Sequence, residues 1–217
     1  MKVLVACEES QAVCSAFRAK GHEAYSCDII ECSGGHPEWH IMEDVLKVLN
    51  PKRWLGKFGI VFNTCDGTPH FIEGKWDLII AHPPCTYLSN AGARFLYPKG
   101  ILNEERLQKG LEAKTFFMQI YNADCEKICV ENPIPSKVYG LPAYSQTVQP
   151  FEHGHPLQKK TCFWLKGLEL LKPTNIVAER QSTKIAGNWF NKGGKERQRN
   201  RAKTFPGIAK AMAEQWG

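Results

Sequence analysis

Short apolar runs alternate along this chain with stretches of helical periodicity. Lys2 to Cys7 reads as a first strand, and the polar turn Glu8-Glu9-Ser10-Gln11 leads into a helix with Val13, Ala16 and Phe17 at helical spacing, stopped by Gly21. His22 to Asp28 predicts a second strand closed by an acid, and Ile41 to Leu49 a short helix ending before Pro51. A fainter strand falls at Gly59 to Asn63. Asp77 to Ala81 suits a strand covered on both faces; it stops at Pro83 and Pro84, which lack the backbone donor of a sheet ladder. Asn103 to Ala123 predicts a long helix, with Leu107, Leu111, the aliphatic stem of Lys114, Met118 and Tyr121 along one side. Further strands are expected at Lys127 to Val130, closed by Glu131-Asn132-Pro133, at Gln146 to Phe151 and at Thr161 to Leu165. The last helix, Pro206 to Trp216, carries Ile208, Met212 and Trp216 at four-residue spacing behind a Thr204 cap.

Strands alternating with helices imply an α/β protein with a doubly wound, mostly parallel sheet. A length of 217 residues with 43% hydrophobic content fits one domain over residues 1–217. The loops Cys32 to His40 and Thr64 to Gly74 are too short to link separate domains, and there is no internal repeat.

Composition narrows the setting. No run of eighteen apolar residues is present, and Met1 to Cys7 is too short for a secretory core, so a cytoplasmic protein without membrane attachment is expected. Nine cysteines, an odd number, argue for reduced thiols. Cys125 and Cys129, Cys27 and Cys32, and His153 and His155 do not assemble a four-ligand spacing, so no metal is expected. The net charge is +6, and Lys184 to Lys203 concentrates it: seven Lys or Arg, including Lys195, Arg197, Arg199 and Arg201, face the single acid Glu196. With Gly, Asn and Gln between them, these residues read either as a solvated surface loop or as a phosphate-binding footprint, and the charge excess favours nucleic acid.

Cys85, just past a buried strand, is either an inert buried thiol or a nucleophile aimed from a stiff loop at the ligand-binding edge of the sheet. Three acids also fall near strand ends: Asp28, Asp44 and Glu131. Asp28 is placed to accept hydrogen bonds from ribose hydroxyls, yet the first loop lacks Gly-x-Gly-x-x-Gly, which disfavours a nicotinamide cofactor and leaves a nucleoside without phosphates, such as S-adenosylmethionine. A thiolate adding to a pyrimidine carbon needs an acid to stabilise charge developing on the ring nitrogen, and Cys85 with Glu131 supplies that pair. Glu131 also reads as a structural carboxylate accepting bonds from loop amides.

These residues carry a resemblance. The sequence is similar to S-adenosylmethionine-dependent DNA cytosine-5 methyltransferases, above all the short phage and prophage DNA cytosine methyltransferases. Leu4-Val5-Ala6, Gly21-His22-Glu23 and Asp28-Ile29 resemble the first cofactor segment and its acidic strand, and Asp44-Val45 the acid that meets the adenine. Pro84-Cys85 resembles the Pro-Cys of the nucleophile, with Ser89 four residues on, and Glu131-Asn132 the Glu-Asn pair that contacts the target base. Thr204 to Trp216 resembles the family's terminal segment.

The resemblance implies a Rossmann-like class I methyltransferase fold acting on DNA, with the target base flipped out of a duplex or met in a single strand. Cys85 and Glu131 would be catalytic. Cys7, Glu8, Ser10, Gln11, Asp28, Ile29, Asp44, Val45, His82 and Pro83 would line the cofactor site, and Ser89 and Asn132, with the basic stretch, would meet DNA. A protonated His82 would favour the Cys85 thiolate. Three features depart from the family. Cys7 to Gln11 replaces a glycine-rich loop, and Thr86 stands where glutamine is usual. His82-Pro83-Pro84 also resembles the loop of methyltransferases acting on adenine N6 or cytosine N4, which need no cysteine. A catalytically silent nucleic-acid-binding relative is the third reading. No separate target-recognition domain fits between Glu131 and the terminal helix, so loops such as Gly140 to His155 and the basic stretch would read DNA.

Overall fold

The computed structural model describes residues 1–182 and 202–217. In chain order the elements are β1 (Lys2–Ala6), α1 (Ala12–Ala19), β2 (Glu23–Asp28), β3 (His40–Met42), α2 (Val45–Val48), β4 (Lys52–Trp54), β5 (Lys57–Asn63) and β6 (Pro69–Glu73). There follow β7 (Leu78–Ala81), α3 (Asn90–Ala93), α4 (Glu104–Tyr121), β8 (Lys127–Pro133), β9 (Gln146–Val148), β10 (Leu157–Gln158), β11 (Thr161–Lys166), β12 (Gln181–Ser182) and α5 (Pro206–Trp216).

Seven strands form the central sheet in the order β3-β2-β1-β7-β8-β11-β9. All neighbours are parallel except β11, which runs antiparallel to both β8 and β9. This is an α/β, doubly wound, mostly parallel arrangement of the Rossmann-like kind. Its central strands are the apolar runs Val3–Ala6, Leu78–Ala81 and Ile128–Val130, buried on both faces as parallel strands require. Side chains alternate across the sheet. Leu4, Ile79, Ile128 and Val130 face α4 through Phe117 and Ile120, and also Ile60, Phe62 and Ile72 of β5 and β6. Val3, Val5, Leu78 and Ile80 face Val13 and Phe17 of α1 and Ile208, Met212 and Trp216 of α5. Among the described residues, no helix is long and apolar enough to cross a membrane.

Several local expectations shift. Ile41 lies in β3, and the helix expected from it shrinks to Val45–Val48, capped by the Asp44 carboxylate on the Leu46 amide (3.0 Å). Gly59 to Asn63 is a strand, but it is the middle of a separate antiparallel sheet, β4-β5-β6. The buried centre of α4 is Gly110, Phe117 and Ile120, while Leu107, Met118 and Tyr121 flank it and Leu111 is exposed. Gly110 turns the helix this way because the Tyr139 ring lies where its Cβ would stand. β9 stops at Val148, as Pro150 opens a 3-10 turn boxed by Gln149 and Glu152. The cap position of α5 is Phe205, not Thr204, and no side chain caps it; Pro206, with no amide hydrogen to satisfy, starts the helix. β8 runs on to Pro133, so Glu131 sits inside a strand, opposite Phe163 of β11.

Candidate active site

The register of the central sheet aligns Ala6 of β1, Ala81 of β7 and Val130 of β8. The next residue on each is Cys7, His82 and Glu131, at the carboxyl edge where open α/β sheets bind ligands. β7 ends there at its prolines while β8 continues against β11, so His82 and Glu131 meet side by side. His82 Nδ1 and Glu131 Oε2 are 2.6 Å apart, with side chains only 8% and 15% exposed. His82 is thus engaged by Glu131. Among the described residues its Nε2 is buried without a hydrogen-bond partner, as is Oδ1 of Asn132, whose Nδ2 donates to the Pro133 carbonyl (2.6 Å).

Glu8 lies beneath this pair. Its carboxylate accepts from the Val13 amide (2.7 Å) and the Cys14 amide (3.1 Å), satisfying donors at the start of α1 that no cap side chain reaches. Burial pushes the Glu8 carboxyl above its ordinary range, against the opposing pull of His82 and those two amides. The side chain therefore shapes the loop and adds negative field under His82.

Cys85 is partly exposed on the loop after β7. Its carbonyl accepts from the Ser89 amide (3.0 Å), and Ser89 Oγ caps α3 by accepting from Gly92 (3.3 Å). Ser89 bridges Pro135, the Asn90 amide donates to Ile134 (2.8 Å), and the Ser136 amide to Leu88 (2.7 Å). The loop leaving β7, which carries Cys85, and the loop leaving β8, just past Glu131, are thereby zipped together. Ser89 is buried and serves this zipper.

Sequence reasoning missed Arg106. From the first turn of α4 its guanidinium donates to the carbonyls of Thr86 and Gly92 (both 3.1 Å), and it lies over the rings of Tyr87 and Phe95 (5.0 and 5.3 Å to the centroids). A cation in the first turn opposes the helix dipole, whereas Glu104 and Glu105 beside it agree with it. That mismatch is the signal that Arg106 is held for another purpose.

At the other end of the edge, Cys7 and Gln11 both take left-handed backbone conformations (φ 58°). The loop thus has the turns that glycine ordinarily supplies, built from residues with side chains. Gln11 is fully buried and clamps the loop after β2: Nε2 donates to the His36 carbonyl (2.8 Å), and Oε1 accepts the His36 amide (3.0 Å). A Cβ on Gly34 would stand 2.6 Å from the Gln11 side chain and 2.7 Å from the Ser10 carbonyl, so the two loops close on each other. Gln11 and Glu8 have their hydrogen bonds met within the fold.

Asp28 ends β2 half-buried, and burial raises its carboxyl above the ordinary range in spite of the Ile30 and Ile29 amides. Asp28 and Asp44 both bear on the Cys7 thiol, which burial first, and then these carboxylates, push well up. Val45 and Pro83 are buried, whereas Ile29 stands 75% exposed beside Asp28. Glu9 Oε2 is buried with no hydrogen-bond partner among the described residues. An orphaned carboxylate oxygen, two further acids and an exposed apolar side chain fit a nucleoside carrying positive charge. Of the basic stretch, Lys195, Arg197, Arg199 and Arg201, with Lys184 and Lys192, lie outside the described residues.

No known family matches the chain. No curated protein matches it either. Among solved structures, similarity is found to an E. coli chain provisionally described as a DNA modification methyltransferase encoded within a prophage, at 15% identity and a TM-score of 0.43, covering 82% of this chain and 52% of that one. The chain spans about half the length of that protein.

Proposed function

We propose that this protein is an S-adenosylmethionine-dependent DNA methyltransferase acting on carbon 5 of cytosine. The observation that supports this reading most directly is the zipper joining the loops after β7 and β8, one carrying the cysteine and the other following the carboxylate. Asp28 would hold the ribose hydroxyls, Asp44 the adenine amino group, Ile29 the adenine face, and Glu9 the cationic end of the cofactor. When bound, the cofactor supplies the methyl group. The basic stretch Lys184 to Lys203 would meet phosphates, and Asn132 would steady the strand end that carries Glu131.

The protein's own chemistry then follows. The Cys85 thiolate adds to carbon 6, the carbon 5–carbon 6 π pair moves into the ring, and nitrogen 3 takes a proton from the Glu131 side, leaving carbon 5 nucleophilic. After carbon 5 is methylated, its proton leaves to a base. The sulfur–carbon 6 bond then breaks, the ring double bond returns, and nitrogen 3 gives its proton back. The base must be flipped from a duplex, at a cost of a few kcal/mol, or presented in a single strand.

The test is DNA carrying 5-fluorocytosine, in which fluorine cannot leave as the proton does. The protein should form a covalent adduct on it, Cys85→Ser should form none while still binding the cofactor, and mass spectrometry of normal DNA digests should show 5-methylcytosine. Methylation retained by Cys85→Ala, with an N4- or N6-methylated product, would replace this reading with the amino-methyltransferase one. Failure to bind the cofactor at all would leave the catalytically silent relative.

A further inference from the structure

Nitrogen 3 of cytosine needs a proton when a thiolate adds to carbon 6, and a lone carboxylate at neutral pH has none to give. His82 is bonded to Glu131 through Nδ1 and Oε2 at 2.6 Å, and both side chains are largely buried. This bond leaves Oε1 of Glu131 without a hydrogen bond among the described residues. Glu8 faces His82 from the loop after β1, and Lys159 approaches both members of the pair from the chain before β11. Two thiols, Cys129 on β8 and Cys162 on β11, complete the titratable surroundings of Glu131; burial raises both, so they stay uncharged.

We propose that His82 is the positioning residue of Glu131 and the reservoir of the proton that nitrogen 3 takes. The inference rests on the carbon-5 reading above. As the Cys85 sulfur bonds to carbon 6, the Nδ1 proton of the imidazolium passes to the Glu131 carboxyl. That carboxyl turns about its Cγ–Cδ bond and gives the proton to nitrogen 3, leaving Glu131 ionised and His82 neutral. On elimination the same proton returns. Burial works against charge on His82, but the hydrogen bond and charge of Glu131 and the field of Glu8 outweigh it and hold the proton above the ordinary value of 6.5. The dyad as a unit therefore still carries its proton at a pH where a lone glutamate has lost its own.

The test is the pH profile of adduct formation on 5-fluorocytosine DNA, measured in single turnover for the wild type and for His82→Asn. Between pH 5 and 7 the wild-type rate should climb, because thiolate accumulates while the dyad stays protonated. In His82→Asn it should stay flat, because each gain in thiolate is matched by an equal loss of protonated Glu131. The gap should widen from about 6-fold at pH 5 to about 100- to 500-fold at pH 7, given an ordinary carboxyl value near 4.3. Profiles that differ by a constant factor, with the wild type still trapped, overturn the role of His82 and leave the carbon-5 reading standing. A wild type that is never trapped overturns both. Should His82→Asn fail to fold, NMR titration of the wild type decides: His82 should hold its proton above pH 6.5 and lose it earlier in Glu131→Gln. A His82 that titrates below 6.5, or is indifferent to Glu131→Gln, overturns the proposal.

Discussion

Arg106 bonds to the loop after β7 and to α3, and replacing it with Ala should slow methylation more than it lowers stability. The guanidinium holds the Thr86 and Gly92 carbonyls, one just after Cys85 and the other in α3, and covers the Tyr87 and Phe95 rings. Hydrogen bonds to charged groups contribute about 1.5–3 kcal/mol each, and a cation over a ring about 0.5–1 kcal/mol at exposed sites. The Thr86 bond is exposed and the Gly92 bond only partly buried, so water replaces much of both, and a net loss of about 2 kcal/mol is reasonable. At about 1.4 kcal/mol per tenfold, that lowers the ratio of ordered to open Cys85 loop roughly 30-fold. Single-turnover methylation should fall by up to that factor while cofactor affinity, assigned to Asp28 and Asp44 in the proposed reading, stays unchanged. Hydrogen exchange should show faster opening of the Gly92 and Ala93 amides. Arg106→Lys should recover only part of the rate, since an ammonium cannot present the planar fork. A turnover within twofold of wild type, with those amides still protected, would refute the positioning argument.

Two further outcomes are expected. Gly110→Ala should destabilise by about 1–3 kcal/mol in urea unfolding, because the new methyl group meets the Tyr139 ring and one of α4 or the Tyr139 turn must shift; a midpoint at or above wild type contradicts the packing. The stabilisation from the His82–Glu131 pair should be greatest between about pH 4.5 and 6.5. The raised His82 value makes its share whole below 6.5 and lost as pH climbs through the folded value, and the lowered Glu131 value makes its share whole above 4.5 and lost as pH falls through the folded value. Glu8, raised by burial, works the other way above 4.5. The difference in unfolding free energy between wild type and Glu131→Gln cancels Glu8 to first order, and a difference that keeps growing above neutral pH is inconsistent with this assignment.

The central strands were legible because each is a short apolar run bounded by turn residues, and α4 and α5 because their periodicity is long. Lys52–Trp54 and Pro69–Glu73 were not, since they are short, mostly exposed, and gain strand character only by pairing with β5. The face of α4 was misjudged because Leu111 is apolar and Gly110 has no side chain, whereas packing against Tyr139 favours the smaller residue. At the site, Cys85 and Glu131 could be named from strand-ending motifs. Their neighbours could not: His82 meets Glu131 only through the β7–β8 register, and Arg106 reaches Thr86 from twenty residues away. Glu8 and Gln11 lie on the loop after β1 at the carboxyl edge, and their side chains are consumed in shaping it.

The left-handed residues at Cys7 and Gln11 bear on the entropy of ligand capture. A glycine in such a turn wanders among many backbone wells, whereas a residue with a Cβ sits in the left-handed one at a strain of about 1–2 kcal/mol and has few alternatives nearby. Here the surrounding bonds of Gln11 and the capping carboxylate of Glu8 hold that strain in place. The stiffening of the loop therefore belongs to folding rather than to binding, and a ligand arriving at the carboxyl edge meets a rim whose disorder has already been removed.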